Sequence, residues 1–229
     1  FDNCTATENG GAIFFSGLTN SKIENSNFYN GEAVIGGALY SLGDTVTVNN
    51  CIFENNTAYD KAAGIYWIGK DGQLTNSQFN SNLADGTARG GAIFFDTDAS
   101  NMKISKSNFT GNNASAGGAL YVLPADMSIT ECIFINNNAT LEHGGAIYIG
   151  GDAKNMQISR CEFYNNSACK GDGGAVYLSG KSALIKDSTF NENKADRGGA
   201  IYLAGQSNKV QDTTFEANYA RDGGAVYAG

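Results

Sequence analysis

Five aspartates, Asp44, Asp71, Asp98, Asp126 and Asp152, each follow an aliphatic residue of a repeated motif by five or six positions. Carboxylates stacked at about 5 Å would repel, and would splay into water, take up a cation or share protons. A glycoside hydrolase needs two such carboxylates, one with a raised pKa, and a lyase typically a calcium site with a basic residue nearby. Aspartate is also a good turn former after a strand, and that reading is preferred here. No metal and no cofactor is therefore expected, and a cation, if one bound, would be held by Asp98 and Asp126. His143 is the lone histidine, and its position in the repeat holds Asn9, Ile35, Lys61, Arg89, Ala116, Asp172, Arg197 and Asp222 elsewhere, so it reads as a variable turn position. With no nucleophile elbow beside it, a histidine-centred triad is not expected. The five cysteines include no CxxC pair; Cys132 and Cys161 read as small buried thiols in adjacent repeats.

The elements that carry these residues come from an internal repeat. Gly-Gly-Ala-aliphatic-aromatic begins at Gly10, Gly36, Gly90, Gly117, Gly144, Gly173, Gly198 and Gly223, and a degenerate copy, Ala62-Ala63-Gly64-Ile65-Tyr66, fills the gap, so nine copies recur at spacings of 25 to 29 residues. A second signature, FxxN, starts at Phe53, Phe79, Phe109, Phe134, Phe163, Phe190 and Phe215, with alanine two residues after each Asn. Phe1 and Phe28 extend the phenylalanine column, although Cys4 and Gly31 stand where its Asn would be. Five residues before Phe stands Ile, Val or Leu, and two before it Ser, Cys or Thr.

Short β-like runs separated by Gly- or Asn-containing turns, with no amphipathic helical stretch, predict an all-β right-handed parallel β-helix with about three short strands per coil. Residues 1–229 read as a single segment of about nine coils, and the motif phase at both ends reads as a piece of a longer protein. The Phe column is expected inside, and the Asn column at the following turn, in the left-handed conformation with its amides bonded coil to coil. In the Gly-Gly-Ala strand, alternation puts the aliphatic and aromatic columns on opposite faces, with the aliphatic one inside. The outward stripe, Tyr40, Tyr66, Tyr121, Tyr148, Tyr177 and Tyr202 with Phe14 and Phe94, is the candidate ligand-binding surface, because aromatic rings stack on sugars and large apolar patches mark contact sites. Packing against another segment of the parent protein is its alternative.

A hydrophobic fraction of 41% with 17% charge describes a folded chain. The net charge of −8 opposes nucleic acid and anionic membrane as partners, and no apolar run approaches the roughly 20 residues of a membrane span. Six N-x-Ser/Thr sequons, beginning at Asn3, Asn55, Asn108, Asn113, Asn138 and Asn165, suit a glycosylated surface protein.

The joint pattern of GGA-aliphatic-aromatic and FxxN resembles the GGAI and FxxN repeats of chlamydial polymorphic outer membrane proteins, and more closely the repeats of methanogen adhesin-like surface proteins. The resemblance covers the whole chain, while the cysteine content and the missing Asn in the first two copies depart from the chlamydial style. It implies a secreted, surface-attached rod at the cell surface, used for adhesion or envelope display, with glycans or proteins of a host or neighbouring cell as partners. The expected function is thus an adhesin-like rod and not an enzyme. The alternatives are a carbohydrate-active enzyme of lyase or hydrolase type, since this fold hosts both, and a ligand-free spacer or filament segment.

Overall fold

In the computed structural model, which describes residues 1–229, the chain winds as a right-handed parallel β-helix. One coil shows the plan: an aliphatic strand Gln73–Thr75, a phenylalanine strand Gln78–Asn80, an alanine strand Leu83–Ala84 and a tyrosine strand Ile93–Phe95. Stacked coils form four sheets, of eight aliphatic, eight phenylalanine, seven alanine and nine tyrosine strands. All pairings are parallel and, apart from a shift between Ala33 and Ile35 in the alanine sheet, in register, for example Phe79 on Phe53 and Phe109, and Tyr66 on Tyr40 and Phe94.

There are thus four strands per coil and not three. The alanine strand after FxxN is two residues long in most coils, as at Asn113–Ala114 and Asn138–Ala139. Two positions cannot display an alternation, so the segment reads in sequence as a turn.

Each corner is made by a left-handed residue. Between the aliphatic and phenylalanine strands these are Asn25, Asn50, Asn76, Lys106, Glu131, Arg160, Asp187 and Asp212. After the phenylalanine strand it is the residue before the FxxN asparagine, such as Asn55 (φ 55°), Asn136 (φ 55°) or Asn165 (φ 51°). The expected left-handed conformation therefore falls one residue early, and the FxxN Asn turns inward instead. Asn56, Asn82, Asn112, Asn137, Asn166 and Asn193 are fully buried, each Nδ2 donating to the Oδ1 one coil on at 2.8–3.0 Å. The same Nδ2 donates to a Phe carbonyl of the preceding coil, as Asn137 does to Phe109 at 2.9 Å, and each Oδ1 also accepts a backbone N–H, as Asn137 does from Asn112 at 3.0 Å. All four bonding capacities of the amide are used, which makes burial of so polar a column tolerable.

The Gly-Gly pair has two separate causes. The first glycine is left-handed, Gly36 at φ 67°, and in the degenerate copy Ala62 takes that conformation at φ 54°. The second lies where backbones converge: a Cβ on Gly37 would stand 2.3 Å from the Thr57 carbonyl oxygen. The alanine that follows is a core residue, Ala38 and Ala92 being sealed from solvent, and its carbonyl accepts two N–H groups of the preceding coil, Ala38 from Ala12 and Ile13 at 2.9 and 3.0 Å.

The core holds the aliphatic column, the phenylalanine column and the aliphatic member of the tyrosine strand. From Phe1 to Phe215 the Phe rings stack with centroids 4.5–5.3 Å apart. Each buried ring contributes roughly 1.5–3 kcal/mol of hydrophobic stabilisation.

Candidate functional site

The tyrosine sheet turns its aromatic column outward, as the alternation requires, since Ile65, Ile93, Leu120 and Ile147 join the core while Tyr66, Phe94 and Tyr121 form a separate cluster. The stripe is far less open than expected. Phe14 is 49% exposed, but Tyr66, Phe94, Tyr121 and Tyr202 are buried, and Tyr40, Tyr148 and Tyr177 half-buried. Two effects close it. The rings cover one another, with centroids 4.5–5.6 Å apart. Their flanks are walled by Ile35 and Ala116 from the turn before Gly-Gly and by Ile68 and Leu123 after the strand. Ring faces that would stack on a sugar are therefore occupied by neighbouring rings.

A charged rim runs beside the stripe. Its cations come from the turn position before Gly-Gly, where Lys61 pairs with Arg89 across coils. Lys61 Nζ lies 5.5 and 5.3 Å from the Tyr66 and Phe94 centroids, Arg89 5.4 Å from Tyr121, and Arg197 5.0 and 5.2 Å from Tyr202 and Tyr227. Each has an acidic partner: Asp96 at 3.7 Å from Lys61, Glu142 at 2.8 Å from Arg89, and Asp172, gripped by Arg197 through two bonds of 2.9 and 2.7 Å. A cation against an aromatic ring with a carboxylate behind it is favourable on both sides. Column alignment alone places these cations beside the rings, whereas Arg89 and Glu142, 53 residues apart, meet only in the fold.

Asp96 also accepts the Tyr66 hydroxyl. Burial pushes its carboxyl up, but the bonds from Tyr66 and Thr97 and the charge of Lys61 outweigh that and hold it below its ordinary 3.8. The Tyr121 phenol is pushed up to about 12 by burial and by the adjacent Tyr148. Beside the stripe lies a concavity of about 410 Å³, lined by Asp60, Lys61, Thr87, Arg89, Phe94 and Glu142.

The five aspartates do not form a column. The left-handed corner before the aliphatic strand runs Asn20, Thr45, Asp71, Asn101, Asp126, Asn155, Ser182, Ser207. Asp71 and Asp126 stand on it, separated by Asn101, while Asp44 precedes it by one residue and Asp98 and Asp152 by three. Loops of unequal length undo the regular sequence spacing. Asp71 accepts from the Asn101 amide and Asp126 from Asn155 at 2.9 Å, while Asp98 is exposed on its loop. Asp98 and Asp126 thus occupy different levels of the turn, and Asp44, Asp71 and Asp126 serve as turn and ladder acceptors.

His143 Nδ1 accepts the Asp172 backbone N–H at 3.0 Å and its ring stacks on Tyr177 at 4.4 Å, so its bonding is structural. Cys51, Cys132 and Cys161 are buried, unpaired and aligned with Ser77, Ser107 and Ser188, whose hydroxyls bond the carbonyl two residues back just as the thiols do. The neighbouring Cys161 sulfur, then burial, hold the Cys132 proton well above the usual thiol range.

An unbroken parallel coil with residue ladders on both faces defines a β-solenoid. The chain belongs to the right handed β-helix region family, whose model matches residues 37–228. It is also 32% identical over 115 residues to the protein named Probable autotransporter YfaL of Escherichia coli (strain K12), a match covering 45% of this chain and 9% of that relative. The chain thus corresponds to a small part of that relative's length. No helix is long and apolar enough to cross a membrane.

Proposed function

We propose that this chain is a non-catalytic, extracellular rod of a cell-surface protein, which displays or attaches the cell through its outward tyrosine stripe. The observation that carries the reading is the distribution of side chains. Phe, Asn, Ser/Cys and Gly-Gly positions are spent on building the coils, and one further aromatic per coil runs along an outward stripe, with Tyr29, Tyr59, Tyr164 and Tyr219 scattered on other sides, so that the aromatic residues gather at no single pocket. The partial match to a probable autotransporter supports surface display. The one carboxylate with a resolved shift, Asp96, is lowered, opposite to what a general acid needs. The partners would be glycans or proteins of a host or neighbouring cell, with other segments of the parent protein packing along the rod. Asn3, Asn55, Asn108 and Asn165, all exposed, would be the accessible sequons.

Two measurements test this. Antibody against the chain should label intact source cells and lose its signal on protease shaving, and beads coated with the chain should adhere to target cells. Labelling only after permeabilisation, or release of new sugar ends from a polysaccharide panel, would overturn the reading. Failure to adhere, together with concentration-dependent assembly, would favour a filament segment.

A further inference from the structure

Ring faces in the stripe are closed, but its edges are not. From Tyr121 to Tyr227 the column is tyrosine in five successive coils, with centroid steps of 4.5, 5.2, 5.2 and 5.0 Å and interplanar angles of 4–13°. Rings so closely parallel admit nothing between them, and what they offer outward is a row of phenol oxygens, one per coil. The Tyr66 hydroxyl is consumed by Asp96 and that of Tyr148 meets the Tyr121 hydroxyl, whereas those of Tyr177 and Tyr202 make no hydrogen bond within the protein, and none of Tyr148, Tyr177 and Tyr202 is sealed from solvent. Each is both donor and acceptor, repeated at the coil rise of about 4.8 Å.

Charge narrows the class of ligand. The cations along the stripe, Lys61, Arg89 and Arg197, are each engaged by a carboxylate, leaving no cation free to hold an acidic polymer. The net charge of −8 repels polyanions at long range. A neutral, extended, equatorially linked glycan advances by roughly one coil per sugar and carries hydroxyls that both give and accept hydrogen bonds.

We propose that Tyr148, Tyr177 and Tyr202, with Tyr121 and Tyr227 continuing the row, bind a neutral β-linked polysaccharide lying parallel to the rod axis, one sugar per coil, through phenol hydroxyls and not through ring stacking. This rests on the attachment reading above and specifies its ligand. Because every coil adds a contact, affinity grows with ligand length.

The test is calorimetric titration of the intact chain with cellohexaose and chitohexaose, each against its disaccharide, and with hexagalacturonate as the acidic counterpart. At least one neutral hexaose should bind ten or more times tighter than its disaccharide, and hexagalacturonate should bind more weakly. The double variant Tyr148→Phe/Tyr177→Phe keeps the ring stack and removes two hydroxyls; it should weaken hexaose binding about tenfold with an unchanged circular dichroism spectrum. No binding of either neutral hexaose, equal binding of the acidic one, or an unaffected double variant overturns the proposal. So does a dimer in sedimentation that the double variant dissolves, since a second copy would then occupy the stripe. If the double variant still adheres to cells as the native chain does, the attachment reading stands and this assignment falls; if the native chain adheres to nothing, the attachment reading itself falls.

Discussion

Asp96 shows how one residue beside the stripe is used structurally. Its folded pKa lies below the ordinary 3.8 because the hydrogen bonds from Tyr66 and Thr97 and the charge of Lys61 outweigh burial. A depressed carboxylate contributes stability that is present above its unfolded value and is lost as pH falls through the folded one. Asp96→Asn should therefore cost on the order of 1 kcal/mol at neutral pH, the worth of charge-assisted bonds reduced by contact with solvent. The gap to the native chain should close as pH drops below 3.8. Urea unfolding midpoints across that range check this, and a gap independent of pH would show that Asp96 acts only through packing. At the same scale, the buried thiols of Cys51, Cys132 and Cys161 stand in for serine as weak donors in one column, which explains unpaired cysteines without a redox role.

Among the elements, the two aromatic columns differ in what surrounds them. Phe134 is fully buried between Phe109 and Phe163 at 4.8 Å on each side, and Phe134→Ala should cost roughly 3–5 kcal/mol by opening a cavity in the middle of the core. Tyr121 is 6% exposed yet belongs to the outer cluster, where water can enter the space a truncation leaves. Tyr121→Ala should accordingly cost roughly 2 kcal/mol, less than a core cavity but more than a free surface position. Thermal unfolding of the two variants side by side measures the difference, and equal losses would mean that the outer stripe packs as a second core. The expected openness of this column misses because neighbouring rings and the walls formed by Ile35, Ile68, Ala116 and Leu123 close over it, and those walls stand at turn positions whose residue type changes from coil to coil.

For the whole molecule, each coil contacts chiefly the coils on either side, the Arg89–Glu142 pair reaching one coil further, so stability is largely a chain of nearest-neighbour couplings. The Asn ladder is one such coupling, and Asn137→Ala would strip an acceptor from the Asn112 backbone N–H and from its Nδ2, and the Nδ2 donor from Asn166 Oδ1 and the Phe109 carbonyl, while the backbone N–H of residue 137 keeps its bond to Asn166. Buried groups left without partners cost about 1–3 kcal/mol each. The single tryptophan, Trp67, is fully buried in the third coil and reports the N-terminal part of the rod. In the native chain, Trp67 emission and far-ultraviolet dichroism should follow one denaturant transition. In Asn137→Ala the dichroism should begin to fall before Trp67 responds, as coils beyond the break melt separately. Coincident curves in the variant would show coupling that does not depend on the ladder.

The sequence by itself determined the coiled repeat, the inward Phe and aliphatic columns and the outward parity of Tyr, because in a solenoid one residue type at one phase must meet its own kind one coil away. It also carried the turn-forming role of the aspartates. Tertiary structure alone decided what depends on loop length and on residues far apart in sequence: the short fourth strand, the scattering of Asp44, Asp98 and Asp152 off a common level, and the shielding of the stripe. The same holds for the pairing of Arg89 with Glu142 and Arg197 with Asp172. A strand's face follows from period-two alternation within a few residues, whereas a turn of variable length has no period, and what it covers is settled only when the coils stack.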